Sequence, residues 1–251
     1  MSEKYPLATL FTLDEVIRKL SEIGEAITYT RFKNWHGFSD PTLSQALAAG
    51  YEMNALAWET GNWYSIGKRK WSLPEAAFYT PCQIALKDYF CSLSRYKEDE
   101  FFIENTSNRD SKISGRWTRP DLTMVSHKTY RWTIGQEFDV TTFEIKRPAD
   151  CNVLAVFEAL SHASAATRAY VVFPISEEAW HAKDPAQAAR VIDECSRHGV
   201  GLFFIDQVDS QPCAIEGQQA TRKALDHEKC GSFLEAVLSA DGLGRIAGWK
   251  R

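Results

Sequence analysis

The sequence lacks any continuous apolar run near 18 residues, and its first residues, Met1-Ser2-Glu3-Lys4, are not followed by a short hydrophobic segment. The first absence argues against a membrane-spanning helix and the second against a secretory leader, so the expectation is a cytoplasmic protein with no membrane partner. The six cysteines, at 82, 91, 151, 195, 213 and 230, never form C-x-x-C, as in a chain whose thiols stay reduced. Cys195-x-x-His198 and His227-x-x-Cys230, with Cys213 between them, lack the paired spacing of a zinc site. His198-Gly199 reads instead as a helix end, with Cys195 among the core-facing residues of that helix. A broad basic excess is missing too: the net charge is −4 and the pI about 5.9. That excludes a uniformly positive surface but leaves room for a local patch.

What is present is a globular composition. The chain has 251 residues, 44% hydrophobic and 25% charged, enough for a small domain followed by a medium one. Thr12-Leu13-Asp14-Glu15 reads as a capping box opening a helix through Val16, Ile17, Leu20 and Ile23. A short helical segment over residues 29–35 follows, and Ser39-Asp40-Pro41 starts a third helix ending near Gly50. The period then changes to alternation over residues 51–59 and 62–67, across Thr60-Gly61, which predicts a hairpin.

That order, three helices and a hairpin within residues 1–70, resembles a winged helix-turn-helix. The resemblance makes residues 40–49 the recognition helix, Ser44 and Gln45 its groove contacts, and Lys68-Arg69-Lys70 a basic trailer for phosphates. Residues 1–70 hold eight basic and eight acidic residues, so a protein-docking use of the same module stands beside DNA binding.

Ser72 with Glu75, and Thr80-Pro81-Cys82-Gln83, read as further capping boxes, the second opening a helix to about Leu93. Short strands are expected at 101–104 and 121–125. The segment 138–146 has the β-branched and aromatic content of a buried strand yet carries Glu144 and Lys146 two residues apart, hence on one face. A helix with an apolar stripe of Val153, Val156, Phe157 and Leu160 comes next, then an apolar strand at 170–173. Beyond it lie a helix over 185–198, a strand at 201–206, and helices over 218–226 and 232–240. Between residues 109 and 131, Arg109, Lys112, Arg116, Arg119, Lys128 and Arg131 stand against Asp110 and Asp121, a local excess of four positive charges.

Pro120-Asp121 followed by Glu144-Ile145-Lys146, in a helix–three strands–helix–strand order, resembles the PD-(D/E)xK restriction-endonuclease-like nuclease superfamily. The resemblance implies an α/β fold, a mixed central sheet flanked by helices over residues 71–251, preceded by the winged-helix-like domain. It implies a DNA endonuclease using Mg²⁺ or Mn²⁺ in restriction, defence or repair, as a homodimer if both strands are cut at once. Asp121 and Glu144 would bind the metal with the carbonyl of Ile145, Lys146 would activate water, and Glu75 would complete the metal site from the first core helix. His162 and Glu158, on the helix after the motif, would lie behind these residues. Arg109, Lys112, Arg116 and Arg119 would meet the DNA backbone. The rival expectation is a non-catalytic regulator, a winged helix that binds DNA or protein fused to a nuclease-like core used for docking.

Overall fold

A computed structural model describes residues 5–36, 40–59, 61–92, 96–107, 119–132, 134–206 and 211–249, divided into two compact units, residues 1–77 and 78–251. Arg109, Lys112 and Arg116 lie outside the described residues, as does Thr60 of the expected hairpin.

In the first unit, α1 (Leu7–Ile23), α2 (Tyr29–His36) and α3 (Asp40–Glu52) enclose Leu13, Val16, Leu20, Phe32, Leu43, Ala46 and Leu47. Strands β1 (Ile27–Thr28), β2 (Leu56–Glu59) and β3 (Trp63–Ile66) form an antiparallel sheet ordered β1-β3-β2. Two boundaries differ from the sequence reading. Helix α1 begins five residues before Thr12, because Leu10, Phe11 and Thr12 are themselves buried and extend the helix upstream. Residues 51 and 52 end α3 instead of beginning a strand, and Asn54 takes a left-handed φ of 58° to make the reversal into β2.

A 3₁₀ turn (Glu75–Phe78) ends the first unit and runs into α4 (Tyr79–Ser92) of the second, where Gln83 donates to the carbonyl of Ile103 and not back to the helix start. Strands β4 (Phe101–Asn105), β5 (Leu122–Thr129) and β6 (Gln136–Ile145) form an antiparallel meander. Helix α5 (Val153–His162) crosses to β7 (Arg168–Phe173), parallel to β6. Helices α6 (Glu177–Lys183) and α7 (Pro185–His198) lead to β8 (Gly201–Asp206), parallel to β7, and β9 (Cys213–Gln218) pairs antiparallel with β8. The chain continues through α8 (His227–Val237) and α9 (Ala240–Trp249). The result is an α/β unit on a six-stranded mixed sheet ordered β4-β5-β6-β7-β8-β9.

Both sheet faces are covered, which explains why the central strands read as nearly unbroken apolar runs. On one face Val171, Phe173, Leu202 and Phe204 pack against Val156 and Ala159 of α5 and Val191 and Cys195 of α7. Further along that face Phe102, Val125 and Val140 meet Cys230, Phe233, Leu234 and Val237 of α8. On the other face the Phe90 ring of α4 lies edge-on to Phe143 and Phe203, with centroids 6.3 and 6.1 Å away.

The C-terminal third departs most from the sequence reading. Residues 218–226 are not a helix: the N–H of Thr221 donates to Gly199, that of Lys223 to Thr167, and Arg222 pairs with Asp139, so tertiary partners hold the segment extended. The expected helix over 232–240 begins earlier, at His227, because Asp226 caps the N–H of Lys229.

Candidate active site

Pro120 has no N–H, and its carbonyl accepts from the Thr106 hydroxyl at 2.8 Å, so the β5–β6 ladder gives way at this point. The Asp121 side chain takes over: its Oδ2 accepts the N–H of Ile145 at 2.7 Å, while its own N–H donates to Phe143 at 3.1 Å. Leu122 pairs with Phe143 in the ladder, so one step further the register sets Asp121 opposite Glu144. Opposed cross-strand residues share a face with Cβ atoms about 5 Å apart. Glu144, two residues before Lys146, lies on that same face.

The ammonium of Lys146 is 2.6 Å from Glu144 Oε1 and 2.5 Å from Glu158 Oε2, so one lysine bridges two carboxylates. The second Glu144 oxygen lies 3.3 Å from His162 Nε2. Glu144 is 8% exposed and His162 3%. Burial works against the charged form of Glu144, but the His162 contact and the charge and hydrogen bond of Lys146 outweigh it, holding the carboxyl below its ordinary pKa.

Helix α5 delivers Glu158 and His162 together because they are four residues apart, one turn along one face. Asn152 caps the helix by accepting the N–H of Leu154 at 2.9 Å. The helix faces the sheet through Val153, Ala155, Val156, Ala159 and His162, so the expected apolar stripe is rotated: Phe157 points outward and meets the His198 ring edge-on. Two small alanines in place of the expected larger residues let the helix lie close to the sheet and bring its polar pair to Lys146.

Of the sequence-selected residues, Asp121, Glu144, Ile145, Lys146, Glu158 and His162 therefore come together. Glu75 opens the 3₁₀ turn on the first unit's side of the boundary. Arg119 donates to the Ser107 carbonyl at 3.3 Å, and Lys68, Arg69 and Lys70 are exposed. Ser44 and Gln45 are exposed on α3 but engaged: the Ser44 hydroxyl is 3.0 Å from that of Tyr29, and Gln45 accepts from Thr9 at 3.3 Å.

Sequence reasoning misses Thr106, whose N–H donates to the Asp121 carbonyl at 2.9 Å and whose hydroxyl also lies 3.1 Å from that of Thr123. It marks Cys82 only as part of a helix start. That residue is fully buried near enough to Asp121 that burial and the aspartate charge together push its thiol well above the usual range. No local sequence pattern marks either role, since both residues act through neighbours distant along the chain.

Among the described residues, no three His, Cys, Asp or Glu side chains form an ion-holding set by themselves. Mg²⁺ commonly takes only one or two carboxylates, with waters and substrate phosphates completing its shell. Asp121 and Glu144 with a neighbouring backbone carbonyl make an all-oxygen donor set of that kind. No family model matches the chain, and no curated protein matches it.

Proposed function

We propose that the chain is a Mg²⁺- or Mn²⁺-dependent phosphodiester hydrolase that cuts DNA. The observation that carries this reading is the placement of Asp121, Glu144 and Lys146 on one face at the sheet's centre, with Lys146 2.6 Å from Glu144. An ion pair serving only stability has no need of a second carboxylate across the ladder, a third on Lys146 and a buried histidine behind. The meander β4-β5-β6 after α4, followed by the α5 crossover to parallel β7, supports a PD-(D/E)xK core. The first unit, ordered α1-β1-α2-α3-β2-β3 with sheet order β1-β3-β2, supports a winged helix.

In this reading Asp121, Glu144 and the Ile145 carbonyl would hold the cation, with Glu75 a further candidate ligand. A divalent ion held there would supply Lewis-acid polarisation of the scissile phosphate and a water of lowered pKa. Lys146 orients that water or takes its proton and offsets charge growing on the phosphate. Glu158 gives Lys146 a second carboxylate contact that keeps the amine in place, and His162 helps keep Glu144 ionised. Arg109, Lys112, Arg116 and Arg119, with Lys68, Arg69 and Lys70, meet DNA phosphates.

A second reading has its own observation. Helix α3 carries no Lys or Arg, and Tyr51 and Trp58 are more than half exposed on the first unit, which favours docking of a partner protein there. Purified protein incubated with circular DNA and Mg²⁺ separates the two. Cleavage abolished by chelator and by Asp121→Asn, Glu144→Gln and Lys146→Ala supports the hydrolase. No cleavage of any nucleic acid tried, or cleavage persisting in all three variants, contradicts it and favours the non-catalytic regulator.

A further inference from the structure

Hairpin connections are commonly built from Asn, Asp and Gly, but the one joining β5 to β6 carries large apolar side chains. Trp132 is 85% exposed, Ile134 is fully exposed, and Tyr130 is exposed beside them. Gly135 takes a φ of 90° and turns the chain back into β6, so these side chains stand in water at one end of the sheet. Isolated apolar residues on a surface are ordinary, whereas three large ones within five positions mark a contact surface.

Cations are stacked among these rings. The Arg131 guanidinium lies 4.7 Å from the centre of the Trp132 ring, and the Lys128 ammonium lies 5.7 and 5.6 Å from the ring centres of Tyr96 and Tyr130. Glu137, the one carboxylate between residues 128 and 138, accepts from the Tyr130 hydroxyl at 2.6 Å and pairs with Arg222 at 3.3 Å. Arg131 pairs with no carboxylate among the described residues. The tip therefore offers an open aromatic face beside a cation without a counter-charge. Nucleic acid meets both, with a base for the ring and a phosphate for the guanidinium. Bases inside a duplex are already stacked on one another, so the form that fits is unpaired. A bilayer fits less well, because sinking Trp132 would carry the guanidinium stacked on it toward hydrocarbon.

We infer that the β5–β6 tip is a binding site for unpaired nucleic-acid bases, one base stacking on Trp132 and the adjoining phosphate meeting Arg131, with Ile134 adding apolar contact. Gln136 lies eight residues before Glu144 on β6, which at about 3.3 Å per residue sets the tip roughly 26 Å from the carboxylate cluster. None of the residues placed in the hydrolytic site belongs to it, and binding here requires neither a divalent ion nor cleavage.

The test uses the full chain in chelator, where no metal-dependent cleavage intrudes, and reads the anisotropy of a fluorescein-labelled oligothymidylate beside a fully paired duplex of the same length. Trp132 and Arg131 are both exposed, so the fold accepts their replacement, and unchanged melting checks this. The expected result is saturable binding of the oligothymidylate, weakened about tenfold or more by Trp132→Ala and largely retained by Trp132→Phe, which keeps a ring to stack on. Arg131→Ala should reduce the slope of log K against log salt by about 0.7, as loss of one single-strand phosphate contact implies. No binding of the oligothymidylate, or equal affinity in wild type and Trp132→Ala, overturns the site. An equal loss of duplex affinity in Trp132→Ala overturns the assignment to unpaired bases. Co-sedimentation with phosphatidylserine vesicles that Trp132→Ala abolishes, while oligothymidylate binding stays unchanged, overturns it in favour of a membrane surface.

Discussion

Lys146 stands between Glu144 and Glu158 at 2.6 and 2.5 Å, in surroundings where its ammonium and Glu144 are both largely shielded from water. Removing the amine leaves two carboxylates facing one another without a counter-charge, and breaking a buried pair in this way costs on the order of 3 kcal/mol. Lys146→Ala is therefore expected to lower the urea midpoint as well as to reduce cleavage by about 10²-fold or more. Lys146→Met, which restores the volume without the charge, recovers none of the cleavage. A loss of stability without any change in cleavage would make Lys146 a structural ion-pair partner only. Glu144 carries the pH dependence. Its folded pKa is depressed, so the stability it contributes is fully present above the ordinary carboxylate value of about 4.3 and disappears as the pH falls through the lower folded value. Urea midpoints taken from pH 6 downward should show wild type losing its advantage over Glu144→Gln below about pH 4. An advantage that grows on acidification would contradict the depressed value.

Helix α5 positions two of the polar residues at the site, and its geometry depends on its first turn. Asn152→Ala removes the acceptor for the N–H of Leu154 and should cost about 1 kcal/mol by urea unfolding. Phe143→Ala, which empties the centre of the ring cluster of Phe90, Tyr170 and Phe203, should cost about 3–5 kcal/mol. The elements around the motif are legible in the sequence because their signals are local: β6 is β-branched and aromatic, and Gly199 ends α7 with the left-handed φ of 66° expected of a helix C-cap. Strand β9 is not legible. It is an edge strand whose Cys213, Ile215 and Gly217 are exposed and whose Glu216 accepts hydrogen bonds from Tyr89 and Tyr170, so it offers no apolar alternation to read. Residues 218–226, rich in helix formers, mislead for the complementary reason: bonds to Gly199, Thr167 and Asp139 override local propensity. In the site itself, Glu144 and Lys146 are legible from their spacing alone. That Glu158 reaches Lys146 depends on Ala155 and Ala159 bringing α5 close, which spacing within one helix does not reveal.

Across the whole molecule, net charge is −4, so the proposed affinity for DNA must come from local cations. Replacing Lys68, Arg69 and Lys70 together by alanine should reduce the slope of log K against log salt by about 2.7, close to one unit for each phosphate that is no longer neutralised. A slope left unchanged would remove these residues from the DNA surface and favour the protein-docking use of the first unit. Cleavage and DNA affinity are then separable, since the carboxylates and Lys146 belong to residues 78–251 and the basic trailer to residues 1–77. The sharing of one divalent ion by Asp121 and Glu144 is tested most directly by titrating Mn²⁺ into the protein with a non-cleavable DNA analogue and counting bound ions by electron paramagnetic resonance. Wild type should bind Mn²⁺ at a site lost in both Asp121→Asn and Glu144→Gln, whereas equal occupancy in wild type and both variants would contradict it.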